Sequence, residues 1–174
     1  HFCHTATTMI TLPFGEEIFR YRSKGENMLV PLSGTLEYDL GRQFDDSCKD
    51  VSCSKVFIKS GGWVCEHPLW ISWENRGLLA VGEQSDLVVI NPEKLRKAAS
   101  GHSSSLPLLK KYAQLFAKTM ALDAEVQEID DLWGTKYGRT FRIFEDVEHL
   151  DSILNKPGME NGFSPVKQTG RTYI

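Results

Sequence analysis

The residues best placed to do chemistry lie in one run. Gly61-Gly62-Trp63-Val64-Cys65-Glu66-His67-Pro68-Leu69-Trp70 reads as a glycine turn, a carboxylate and one short helical turn set between strand-like segments. The N–H groups that open a helix have no partner inside it and carry partial positive charge, so such a turn can hold an anion. A carboxylate beside it can accept from a hydroxyl, and together the two suit a phosphate joined to a sugar. Arg76-Gly77 follows at the head of a strand-like stretch, Leu78 to Asn91, and adds a candidate cation.

These groups must be positioned by β-structure. From Met9 to Asn91 short apolar runs alternate with Gly, Asp and Ser, the pattern of an antiparallel sandwich or barrel. Strands are expected at Met9 to Leu12, Glu17 to Tyr21, Met28 to Leu32, Thr35 to Leu40, Ser54 to Ile58, Gly77 to Val81 and Asp86 to Ile90. The segment Gly41 to Ser52, with Asp45, Asp46, Lys49 and Asp50, reads as an exposed hairpin loop. Asn91 can cap a helix that starts at Pro92, because proline's missing N–H costs nothing at the first position, and Gly101 ends it. A second helix starts near Ser105 and Pro107. Its residues Leu108, Leu109, Tyr112, Leu115, Phe116 and Thr119 recur at three- and four-residue spacing, and it is expected to run on through Leu122, Val126 and Ile129. Asp146 to Leu154 could form a short helix, while the prolines and glycines from Pro157 to Gly170 argue for an irregular tail.

A second segment carries a recognisable pattern. Lys24-Gly25-Glu26-Asn27-Met28-Leu29-Val30-Pro31-Leu32-Ser33-Gly34-Thr35-Leu36-Glu37-Tyr38 is a glycine, an acid and Asn, a hydrophobic strand and a glycine hairpin. With the Gly61 to Trp70 run it resembles the cyclic nucleotide-binding domain family. The resemblance implies a mainly β fold with C-terminal helices, a β-roll or jelly roll of that family's type. It would span residues 5–131, with the β-roll at 9–91 and the helices at 92–131, followed by a tail at 132–174. It implies cAMP or cGMP as ligand and no catalysis. The cyclic phosphate would be held by amides of the short helix and by an arginine, and Glu66 would accept from the ribose 2′-hydroxyl. The ligand-binding set it implies is Trp63, Cys65, Glu66, Arg76 and Gly77, with Tyr112 or Phe116 covering the base from the last helix. The tryptophan-rich cassette and Arg76-Gly77 look like the cytosolic sensor domains of protist ion channels and kinases. That likeness makes the rest of a host protein or its complex the partner, and the cytoplasm, as the cytosolic part of a membrane protein, the location.

Two positions depart from the family's pattern. Pro68 falls where an amide donates to the phosphate, and proline has no N–H to give. Counting forward from Glu66 without a gap puts Asn75 at the arginine's place and Arg76 one residue later, which on a strand is the opposite face. A bulge over Trp73 to Asn75 would bring Arg76 back; otherwise it is a surface residue or pairs with Glu74 or Glu83. Trp63, Trp70 and Trp73 bring unusual bulk to the cassette; they fill the pocket, or Trp70 and Trp73 face outward or into the core between sheet and helices. Helical spacing alone also explains Tyr112 and Phe116 as core residues of the helix, which is the reading preferred here. Glu66 could instead cap the helical turn.

Composition narrows the rest. At 174 residues and 41% hydrophobic content the chain can bury one ordinary core. A net charge of −3, from 20 basic and 23 acidic residues, offers no general attraction for nucleic acid or anionic lipid, and no apolar run approaches bilayer length. The chain begins at His1 with no basic-then-apolar leader, so it reads as a piece of something longer, and Cys3, Cys48, Cys53 and Cys65 read as reduced thiols. The five histidines include no pair one residue apart, the spacing a cupin metal site needs, and the cysteines lack tight zinc-ligand spacing, so no metal site and no cofactor are expected. No nucleophile with a local base or phosphate-binding loop is present, so no catalytic residue is expected. Two functions remain: a regulatory module whose divergent pocket binds cAMP and cGMP weakly or not at all and acts in protein interaction, or a working cyclic nucleotide sensor that gates a channel or kinase. Oligomeric state is open.

Overall fold

The computed structural model describes residues 6–40, 55–101 and 105–136. The expected Gly41 to Ser52 loop, the Asp146 to Leu154 helix and the tail beyond residue 136 lie outside them, as do Cys3, Cys48 and Cys53.

Among the described residues seven strands form two antiparallel sheets. In one, β1 (Thr7–Leu12) and β3 (Met28–Pro31) flank β7 (Ser85–Ile90); in the other the order is β2 (Glu17–Phe19), β6 (Leu78–Glu83), β4 (Thr35–Asp39) and β5 (Val56–Ile58). Apart from the consecutive pair β4 and β5, the neighbours in each sheet are not consecutive in sequence, as in a roll rather than a meander. Registers follow the apolar alternation: Ile10 pairs with Leu87 and Leu87 with Pro31, while Leu36 pairs with both Val81 and Ile58. These residues line the inner faces, and a one-residue slip would turn every one of them outward. All seven expected strands are present, with ends shifted by one to two residues; β2 stops at Phe19 because the backbone turns through Arg22, whose φ is +64°. Gly34, at φ +76°, makes the turn into β4, where a side chain would run into Ser85.

Helix α1 (Pro92–Ser100) starts at Asn91, whose side chain accepts from Glu93 and Lys94 N–H at 3.1 Å each. Helix α2 (Ser105–Ala124) lays Tyr112, Ala113, Leu115, Phe116 and Met120 against the sheets. It ends at Ala124, short of the expected Ile129, where Val126 and Gln127 N–H both turn back to Asp123 O, and Val126 is 82% exposed. The physical reason is downstream: Cys65 N–H donates to Asp131 O at 2.8 Å, so the chain must leave the helix axis to re-enter the core. A last turn, α3 (Trp133–Lys136), follows. The architecture is mainly β with C-terminal helices, a β-roll closed by α2. Among the described residues no helix is long and apolar enough to cross a membrane.

Candidate functional site

The cassette begins at the Gly61 turn, φ +92°, and runs as Val64 bridges Leu29 of β3 by two backbone hydrogen bonds of 2.8 and 3.0 Å. Cys65 follows at φ +61°, a left-handed geometry that costs a residue with a Cβ of order 1 kcal/mol or more. It is held there at three points: its N–H on Asp131 O, its thiol donating to Asn75 Oδ1 at 3.1 Å, and Asp131 Oδ1 at 3.7 Å from the sulfur. Burial and the adjacent Asp131 push the Cys65 thiol well above its ordinary range, so it sits as a protonated donor. A 3-10 turn, His67–Leu69, comes next, with Pro68 in its first positions.

Glu66 precedes that turn but makes no capping bond with its side chain. Only 5% exposed, its carboxylate instead accepts from Trp70 Nε1 at 3.1 Å and Tyr112 OH at 2.6 Å on one oxygen, and from Trp63 Nε1 at 3.1 Å on the other. Trp63, Glu66 and Tyr112, three residues of the sequence-derived set, therefore meet at one carboxylate. Phe116 is fully buried beside them, its ring centroid 6.4 Å from Trp70, 5.7 Å from His67 and 5.1 Å from Trp133. Trp70 and Trp73 are both buried in the core cluster.

The arginine's two candidate positions separate. Asn75 is buried and bridges, donating to Ser23 Oγ at 2.9 Å while accepting from Cys65. Arg76 is exposed, with its guanidinium carbon 5.5 Å above the Trp73 ring, within cation–π range. Its backbone, with that of Gly77, points inward: the two N–H groups donate to Asp131 Oδ2 at 2.8 and 3.0 Å. Gly77 is required here because a Cβ would lie 2.6 Å from the Tyr38 ring.

Asp131 is the residue that sequence reasoning missed. It is 1% exposed, and besides the Arg76 and Gly77 amides it accepts from Tyr38 OH at 2.8 Å and Trp73 Nε1 at 2.6 Å. Desolvation raises its pKa, opposed by hydrogen bonds from Trp73, Tyr38 and the two amides, which stabilise the ionised form. Desolvation followed by the Asp131 charge pushes the Tyr38 hydroxyl up as well, so the phenol remains a donor. Two residues on, Trp133 is fully buried and its Nε1 donates to Asp123 Oδ2 at 2.8 Å, while Thr135 Oγ1 donates to Trp63 O at 2.6 Å. The strap 130–135 is thus bonded to α2, to β4 and to both ends of the cassette. No local pattern announces it: two aspartates ahead of an apolar pair look like a solvated turn.

His67 completes the interior. Fully buried, it stacks on Trp73 with centroids 3.9 Å apart and 13° between planes, and neither ring nitrogen has a hydrogen-bond partner among the described residues. Burial, with a smaller contribution from Arg76, pushes it down to about 3, so it is neutral.

Two open spaces border the cassette. The cavity beside Trp70, lined by Leu69, Leu95, Ala99 and Leu109, is about 20 Å³, whereas small-molecule pockets run to roughly 300–1,000 Å³. A cleft of about 400 Å³ opens between β2 and the Ser23 to Asn27 turn, reaching Cys65 and Asn75 but not Glu66, Tyr112 or Phe116.

No protein-family model matches the sequence, and neither does any curated protein sequence. Solved structures do match. The N-terminal domain of a transcriptional regulator from Streptomyces coelicolor A3(2) superposes with a TM-score of 0.54 at 14% identity, over 71% of this chain and 82% of that one. A structure described under a cyclic-GMP-dependent signalling pathway that regulates bacterial phytopathogenesis superposes at 0.50 and 12% identity, over 73% and 91%. A cyclic nucleotide-binding-like protein from Brucella abortus matches at 0.41 and 13%, over 53% and 74%, too low a score to add weight. At these identities the likeness is one of fold alone: the chain shares with the first two structures a β-roll closed by C-terminal helices.

Proposed function

We propose that this chain is a non-catalytic regulatory module whose ligand pocket is filled by its own side chains, and that it works through contacts with the rest of a host protein or its complex rather than by sensing cAMP or cGMP. The observation that carries this reading is the saturation of the cassette. The carboxylate that would take a ribose hydroxyl already holds Trp63, Trp70 and Tyr112. The amides of Cys65, Arg76 and Gly77 already serve Asp131. Pro68 supplies no amide at all. A nucleotide using Glu66 and the Arg76 and Gly77 amides would have to break the hydrogen bonds they already make to Trp70, Tyr112 and Asp131, worth about 1 kcal/mol each, and leave those partners unpaired.

Calorimetric titration with cAMP and cGMP tests it. The expected result is no binding tighter than millimolar for either nucleotide. A micromolar or tighter dissociation constant, abolished by Glu66→Ala, would restore the working sensor that gates a channel or kinase.

A further inference from the structure

The surroundings of Asp131 amount to more than a buried polar residue with partners. Three donors converge on Oδ2, the Tyr38 hydroxyl at 2.8 Å and the N–H groups of Arg76 and Gly77 at 2.8 and 3.0 Å. Oδ1 receives Trp73 Nε1 at 2.6 Å, with the Cys65 sulfur at 3.7 Å. Consecutive backbone amides aimed at one oxygen form an anion-binding concavity. They come from separate places in the chain: Tyr38 in β4, Trp73 after the 3-10 turn, and Arg76-Gly77 at the head of β6. Gly77 has no room for a Cβ, so the close approach of this backbone to the carboxylate is built into the roll.

We propose that Tyr38, Trp73 and the Arg76 and Gly77 amides form a carboxylate-selective binding site, filled in cis by Asp131 and able to take a small free monocarboxylate when that side chain is removed. The inference rests on the self-filled reading above for the identity of the occupant, but not for the selectivity. Selectivity follows from geometry: the donors address two oxygen positions. A tetrahedral phosphate would bring further oxygens into this buried interior, where Asp131 is 1% exposed and an unpaired anionic oxygen is costly.

The test is chemical rescue in the full chain. Asp131→Ala removes the volume of a carboxylate and should be rescued by formate; Asp131→Gly also removes the Cβ and should prefer acetate. The expected readout is a saturable rise in Tm with formate for the first variant and with acetate for the second, in the millimolar range, against sodium chloride of equal ionic strength. Equal stabilisation by formate and chloride, or stronger stabilisation by inorganic phosphate, would overturn the proposal. Should either variant fail to fold in chloride, refolding is followed by tryptophan emission across the same formate or acetate series. Recovery of the native spectrum supports the site and its absence overturns it. Nucleotide binding to the unaltered chain would sink the self-filled reading and leave this rescue result standing, so the two failures are distinguishable.

Discussion

Replacing Glu66 by Ala separates a carboxylate that awaits a ligand from one that serves the fold. In the structure the Glu66 carboxylate is the acceptor for Trp70 Nε1, Tyr112 OH and Trp63 Nε1. Trp70 and Tyr112 are buried, and Trp63 is half-buried. Each buried donor left without an acceptor costs about 1–3 kcal/mol, and the half-buried one regains water at little expense. Relief from burying a carboxylate offsets part of this. The expected net loss is therefore about 2–4 kcal/mol, a large share of the roughly 5–15 kcal/mol that holds a domain together. Urea denaturation read by tryptophan fluorescence would show it as a lower midpoint at unchanged m-value. Tyr112→Phe removes one of the three donors and should cost about 1 kcal/mol alone but much less in the Glu66→Ala background, since the bond is then already gone. A Glu66→Ala loss under about 0.5 kcal/mol, the range of an ordinary surface substitution, would refute the argument that this carboxylate is consumed internally.

Two further outcomes follow from the same geometry. His67 is neutral in the fold and pushed down to about 3, whereas the unfolded chain protonates near 6.5; the unfolded state binds more protons between these values, so this residue's contribution is intact above pH 6.5 and is lost as pH falls toward 3. The slope is about 1.4 kcal/mol per pH unit in that window, and His67→Phe, which keeps the stack on Trp73, should flatten urea-derived stability between pH 6.5 and 5 and raise it at neutral pH; an unchanged pH profile would contradict the assignment. Asp131, raised by desolvation, works in the opposite direction: its contribution is greatest at low pH and declines as pH rises through its folded value, so the His67 variant is compared with its parent at each pH. Gly77→Ala should lower stability by several kcal/mol, because the new methyl meets the Tyr38 ring and displaces the amide that faces Asp131; circular-dichroism melts check this, and a Tm within a degree or two of the parent would show that the strand head yields.

The strands and the first helix were legible in the residues, and the β-roll they build is what the family resemblance implied. Apolar alternation with glycine and aspartate punctuation set the seven strands, and Asn91-Pro92 and Gly101 set the first helix, because these signals are local: period, capping and turn geometry act within a few residues. The missing N–H at Pro68 was legible as well, and the resemblance placed Trp63, Glu66 and Tyr112 in one ligand set, although helical spacing alone also explained Tyr112 as a core residue. What the residues left open was occupancy. Whether the tryptophans face in or out, and whether Asn75 or Arg76 turns inward, depends on strand heads and crossovers that bring together residues tens of positions apart. The second helix reads on past Ala124 because its apolar spacing continues; it stops there because Asp131 is held by donors 54 to 93 residues earlier in the chain. That the Asp131 carboxylate, after α2, gathers Tyr38, Trp73 and the Arg76 and Gly77 amides is a product of the folded chain, since hydrogen bonds between distant segments leave no periodic trace in the residues that make them.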